Sequence, residues 1–264
     1  MDIILLILAG VVVYYLYVTL QEYLKNPISV QSKDLRSETQ EYDLSQDPYI
    51  QMNPFDKIRK TEFGIMVAII SKTLNQDNQS MMREILINAT FKDMGLQMSG
   101  VENAAENLKE IYNSKDLDSL ERLCKDFLQV TYGEYKKRLK FVEFLFALAY
   151  ADGKLNEEEK ENIIDVAAFL ELSNEDFNKI YDDFDAQNGL EITMDRSKAL
   201  EIFGMQEDFS QQELEEKFKD LVLSAKQNIL DVKNLNKSFA TESFKKLCEI
   251  RFAYNLLSHK ETPL

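Results

Sequence analysis

The sequence predicts an all-α protein, and three observations carry that prediction. Apolar residues recur at helical spacing in segment after segment beyond residue 60, strand-type alternation is missing, and no proline falls between Phe55 and Thr262. Proline interrupts the hydrogen-bond ladder of a helix, so a long proline-free stretch suits a set of packed helices. The 264 residues divide into a transmembrane anchor over 1–24, a linker over 25–56, a helical domain over 57–187 and a smaller helical module over 195–264.

Ile3 to Leu20 carries no charge, and its 18 residues would span roughly 27 Å as a helix, close to the lower limit for a bilayer core. Tyr14, Tyr15, Tyr17 and Tyr23 crowd its C-terminal end, as expected of rings that sit at the headgroup level. A cleavable signal peptide would need a basic start and a small-residue cleavage site. Met1-Asp2 has no basic residue, and Gln21-Glu22-Tyr23-Leu24-Lys25 offers no such site. The reading is therefore an uncleaved single-pass anchor. Lys25, Lys33 and Arg36 follow the span and none precedes it, which places the C-terminal body in the cytoplasm, at the cell inner membrane.

Residues 25–56 hold Pro27, Pro48 and Pro54 among Ser, Gln and mixed charge without periodicity, and read as a linker. Seven helices are expected in the first body: Glu62–Leu74, Ser80–Met94, Val101–Tyr112, Leu117–Val130, Glu134–Ala151, Glu157–Leu170 and Asn174–Asp185. Glu134–Ala151 is the most apolar of them and is expected at the centre. Gln187-Asn188-Gly189 supplies the break before the second body. There, Ser210 with Glu213 makes a capping-box pattern ahead of Leu214, Phe218, Leu221, Val222 and Ala225. Ser243–Leu257 carries the complementary stripe, so the two helices should pack antiparallel, with the short segment 197–204 across one end.

Composition excludes several function classes. A net charge of −15 repels phosphate backbones, so no nucleic-acid partner is expected; anionic lipid repels the body too, so it needs a tether to stay at a membrane. Cys124 and Cys248 lie far apart on apolar patterns and read as buried, reduced thiols. His259, near the C-terminus, is the single histidine; Cys/His metal sites are left without enough ligands, and a nucleophile–base triad would have to recruit that one terminal residue. No nucleophile–base pair or glycine-rich phosphate loop is visible, and the chain is not read as an enzyme.

The most informative string is Tyr150-Ala151-Asp152-Gly153-Lys154-Leu155-Asn156-Glu157-Glu158-Glu159. Gly153 can take positive φ and close the preceding helix, and Asn156 can cap the next, with Glu159 reaching back to the Asn156 amide as in a capping box. Structural capping accounts for every residue. The competing reading is a divalent-cation site, the one cofactor these residues could take, with Asp152 and Glu159 facing each other as hard oxygen ligands. The later Asp183-Phe184-Asp185-Ala186-Gln187-Asn188-Gly189 has its glycine one place late for an EF-hand loop and lacks the closing Glu.

Ala151-Asp152-Gly153-x-Leu155-x-x-x-Glu159 after an apolar helix resembles the signature turn of TerB-like domains, all-helical bundles of two similar halves. The resemblance covers roughly residues 60–187. The first half would place its turn at residues 71–79, where Leu74-Asn75-Gln76 stands in place of Ala-Asp-Gly. If the family's acids bind metal in pairs, only Asp152 and Glu159 are retained.

The second body resembles a J-domain. Ala199-Leu200-Glu201-Ile202-Phe203-Gly204 looks like its opening segment, Leu214–Leu223 its second helix, and Phe244–Ser258 its third. Anchor, TerB-like domain and J-like module in that order resemble the DjlA-type membrane co-chaperones. J-domains stimulate a DnaK-type ATPase through a His-Pro-Asp tripeptide, and Lys226, Gln227 and Asn228 stand in those places. Basic residues on the second helix are also interleaved with Glu213, Glu215, Glu216 and Asp220. The leading expectation is a membrane-tethered cytoplasmic adaptor that binds a protein partner without catalysis. The alternatives are an active DnaK co-chaperone at the membrane, and a divalent-metal or tellurite-stress response protein acting through Asp152 and Glu159.

Overall fold

The computed structural model describes residues 13–14, 16–17, 54–75, 80–190 and 192–258. The chain divides into two compact units, residues 1–52 and 53–264. In the first, Val13, Tyr14, Leu16 and Tyr17 are helical and exposed; the rest of the predicted anchor, and the linker up to Asn53, lie outside the described residues. Among the described residues no helix is long and apolar enough to cross a membrane.

The second unit is helical, with no strand among its described residues. Its helices are α1 Pro54–Arg59, α2 Glu62–Thr73, α3 Met81–Gln97, α4 Ala104–Asn113, α5 Leu120–Val130, α6 Tyr135–Ala149, α7 Glu157–Phe169, α8 Asn174–Asn188, α9 Arg196–Phe203, α10 Gln211–Ala225 and α11 Lys245–Ser258. α1 opens inside the stretch read as linker. Its C-terminal turn lies so close to α2 that a Cβ on Gly64 would fall 2.0 Å from the Ile58 carbonyl oxygen. Helix starts follow local chemistry: Thr61, Ser80, Ser119, Ser173, Asp195 and Ser210 each accept a backbone N–H with the side chain. α8 runs one turn further than the sequence pattern suggested, through Asn188.

α6 is the central helix, as its composition predicted. Val142 and Leu145 to Ala149 are fully buried, and α3, α7 and α8 pack around them. Fully burying a Leu or Phe contributes about 1.5–3 kcal/mol, so this one helix anchors much of the bundle. In the C-terminal module α9, α10 and α11 are in mutual contact. α11 is entered through a π-turn over Ala240–Phe244.

The module and the bundle share one hydrophobic core. Phe239 and Phe244 pack on Phe184 of α8, with ring centroids 6.3 and 4.9 Å away, and Phe244 also meets Tyr150 at 6.1 Å. Such aromatic pairs add about 0.5–1.5 kcal/mol beyond the area they bury. Cys124 and Cys248 are free and buried. Burial pushes the Cys124 thiol up to about 12 and raises Cys248 as well, which leaves neither as a ready nucleophile.

Candidate functional site

α6 ends in a single 3-10 turn, Tyr150–Asp152, and Gly153 reverses the chain at φ 95°. The left-handed conformation is one reason for a glycine here. The second is Arg251 of α11, whose guanidinium carbon would lie 3.2 Å from a Cβ at this position. Arg251 donates to the Tyr150 carbonyl at 2.7 Å and to Asn188 Oδ1 at 3.1 Å. Asn188 in turn donates to the Gly153 carbonyl at 3.1 Å. The C-terminal module thus closes over the turn through one arginine. Beneath it the Tyr150 hydroxyl donates to Asp185 Oδ1 at 3.2 Å, and burial together with the Asp185 charge raises its pKa.

The two predicted carboxylate ligands are not brought together. Asp152 is exposed, and its Oδ1 accepts the Lys154 amide at 2.9 Å, an Asx turn. Glu159 points inward and is 2 % exposed. Its carboxylate receives Arg83 Nη1 at 2.9 Å, Arg83 Nη2 at 3.2 Å and the Asn75 amide at 2.9 Å. Arg83 is equally buried and also donates to the carbonyls of Leu148, Ala149 and Asn75 at 2.8, 3.2 and 3.2 Å. A guanidinium presents five N–H donors, and here the whole fork is engaged.

The expected capping box at α7 is therefore absent. Asn156 does cap the helix, accepting the Glu158 amide at 2.9 Å, but Glu159 turns to Arg83 instead of the Asn156 amide. The magnitudes decide this. A capping contact contributes about 1 kcal/mol, whereas a buried charge left without its partner costs about 3–5 kcal/mol. Asn162, one turn on, donates to the Thr73 carbonyl at 3.2 Å. The sequence stretch that stands where the first half should carry its own acidic turn, around Thr73 to Asn75, is thus held by α7 and Arg83.

A divalent cation does not fit these residues. It would have to displace a guanidinium from Glu159, while Asp152 is exposed and takes the Lys154 amide within its own turn. Among the described residues no cluster of three His, Cys, Asp or Glu side chains has the geometry to hold a metal ion. Arg83 is the residue that sequence reasoning passed over. The signal was present: Arg83, Ile87, Thr90 and Met94 share the buried stripe of α3, and a charge on a buried stripe requires a partner.

Lys226, Gln227 and Asn228 follow α10 directly. Lys226 pairs with Asp93 of α3. Gln227 is buried, and its side-chain oxygen accepts Lys140 Nζ from α6 at 3.0 Å. Lys140 is itself buried and donates to Glu143 and to the Lys237 carbonyl. Burial pushes the Glu143 carboxyl up, against the pull of Lys140. Asn228 caps its own turn through the Leu230 amide at 2.9 Å and holds Asn234 through its carbonyl at 2.9 Å. All three residues are anchored within the unit, two of them to the bundle.

An all-helical bundle whose acidic turn joins its fifth long helix to its sixth is the class that this geometry defines. Residues 62–182 match the family model of the tellurite resistance protein TerB, so the chain carries a TerB-like domain from the start of α2 into α8. No curated protein and no solved structure matches the chain.

Proposed function

We propose that the chain is a membrane-tethered adaptor of the TerB type, which holds a rigid helical platform at the cytoplasmic face and binds a protein partner without catalysis. One observation carries the reading: the acidic turn, the part of the domain with the chemistry to hold an ion, is closed by Arg83 from within and Arg251 from above. Glu159 and the carbonyls of Tyr150 and Gly153 join elements to one another. What the platform offers to the outside is therefore surface. The tether is the uncharged run Ile3–Leu20. The C-terminal module, J-like in its helix order, serves as part of the platform.

Co-purification tests this. Membranes containing the full chain are solubilised and the bound proteins identified, beside a chain lacking residues 1–52. The reading expects a discrete partner with the full chain and a soluble, membrane-free shorter chain. Recovery of the full chain from the soluble fraction, or its purification with nothing bound, sinks it. Stimulation of a DnaK-type ATPase by the full chain, at the level of an ordinary J-domain, would favour the co-chaperone alternative. The anchoring of Lys226 to Asp93 and of Gln227 to Lys140 argues for no stimulation.

A further inference from the structure

Between α3 and α10 lies an open groove of about 890 Å³. Its floor on α3 is Met81, Ile85, Ala89 and Leu96, at i, i+4, i+8 and i+15, which fall on one stripe of the helix. Leu223 of α10 completes the floor. Met81, Leu96 and Leu223 are 39 %, 73 % and 37 % exposed, while Ile85 and Ala89 between them are half-buried, so the two ends of the stripe and its α10 side lie open. From Met81 to Leu96 the seam runs roughly 22 Å, about four helical turns.

The groove also has electrical polarity. The Lys226–Asp93 pair ties the C-terminal ends of α3 and α10 together, and the N-terminal halves of both helices line the same groove. The two helices therefore run in the same direction. Glu84, Glu215 and Glu216 lie in the first two turns of their helices; Lys219 stands one turn beyond Glu215, and Lys92 two turns beyond Glu84 toward the C-terminal end of α3. Among the described residues no salt bridge engages any of these five. Glu215 and Glu216 accept instead from the neutral amides of Gln211 and Gln212.

We propose that this groove is the docking site for one amphipathic helix of a partner protein, which lies antiparallel to α3 and α10. The apolar face of that helix covers the Met81–Leu96 stripe. Its acidic N-terminal turn meets Lys92 and Lys219, and its basic C-terminal turn meets Glu84, Glu215 and Glu216. Acid at the N-terminus and base at the C-terminus is also the arrangement that a helix dipole favours, and an apolar seam in a groove is a recurrent way to bind a helix. A second copy of the chain fits less well. Two grooves facing each other would meet as two concavities, and a net charge of −15 opposes self-association. The proposal rests on the adaptor reading and names its binding site.

Two 18-residue peptides test it. Both carry the same apolar stripe; one has an acidic first turn and a basic last turn, the other has these turns exchanged. Binding is measured by fluorescence anisotropy to the full chain in phosphatidylcholine nanodiscs, with empty discs as the blank. The matched peptide is expected to bind about tenfold more tightly than the exchanged one, the sum of several weak surface pairs. In a variant with Glu84→Lys, Glu215→Lys, Glu216→Lys, Lys92→Glu and Lys219→Glu, all outside the core, the preference is expected to invert. Equal binding of the two peptides, failure of both to bind at millimolar concentration, or an unchanged preference in the variant overturns the proposal. So does concentration-dependent dimerisation that the matched peptide dissolves, which would give the groove to a second copy. If the same membrane proteins co-purify with wild type and variant, the groove is wrong and the adaptor reading stands. If none co-purifies with either, the adaptor reading is what fails.

Discussion

The starts of α7 and α10 carry the same sequence pattern and meet different fates. At α10, Ser210 caps the Glu213 amide at 3.2 Å and Glu213 returns to the Ser210 amide at 2.8 Å, a complete capping box at the surface. At α7, Asn156 caps, but Glu159 in the equivalent place leaves the box and pairs with Arg83. The difference lies in what is underneath. α10 begins over solvent, so local chemistry decides. α7 begins over a buried guanidinium, and a contact of about 1 kcal/mol yields to a charge whose isolation costs several. A short acidic motif thus becomes a joint between helices wherever a cation lies within reach below it.

The largest expected effect separates these two glutamates. Glu159→Gln should lower the unfolding free energy by about 3–5 kcal/mol, because Arg83 is left buried without its counter-charge. Glu213→Gln should lower it by about 1 kcal/mol or less, since only a capping contact is lost. Urea unfolding of both variants gives the comparison, and similar losses would break it. Arg83→Met combined with Glu159→Leu should recover only part of the loss: the unpaired charge is gone, but the carbonyls of Leu148, Ala149 and Asn75 and the Asn75 amide lose the hydrogen bonds that the pair supplies.

A second contrast concerns the glycines that end α6 and α9. Gly153 and Gly204 both adopt positive φ, 95° and 62°, so alanine at either should cost about 1–2 kcal/mol. Gly153→Ala should cost more, because its Cβ also presses on Arg251, while nothing lies within 4 Å of one at Gly204. Equal midpoint shifts in thermal unfolding would remove Arg251 from the account. The caps themselves should differ little: Ser210→Ala and Asn156→Ala are each expected to cost about 1 kcal/mol.

The smallest effect is a titration. The Ser210 amide and hydroxyl hold the Glu213 carboxyl below its ordinary value. A carboxyl depressed in the folded state contributes stability that is present above the ordinary value of 4.5 and lost as pH falls through the lower folded value. Carboxyl-carbon NMR should find Glu213 titrating below the ordinary 4.5, and Ser210→Ala should raise it only part of the way, because the backbone amide that holds it most strongly remains.

Helix positions in the second unit were legible because period and caps agree along most of it. α6 could be placed at the centre from its run of Phe, Leu, Val and Ala alone. Gly153 and the Ser210 box were legible for the same reason: each depends on neighbours within a few residues. The role of Glu159 was not, because its partner is Arg83 on another helix, and a local pattern cannot register a contact so far away in sequence. The closure by Arg251 was hidden in the same way, since it joins Tyr150 and Asn188 from the C-terminal helix. α1 escaped notice because its 6 residues are too few to show a period.

The account turns on whether the acidic turn holds helices or ions. Calorimetric titration of Ca²⁺ and of Mg²⁺ into the full chain addresses that directly. The account predicts no saturable heat with either ion, in the wild type or in Asp152→Ala. A saturable heat in the wild type that disappears in both Asp152→Ala and Glu159→Gln would contradict it.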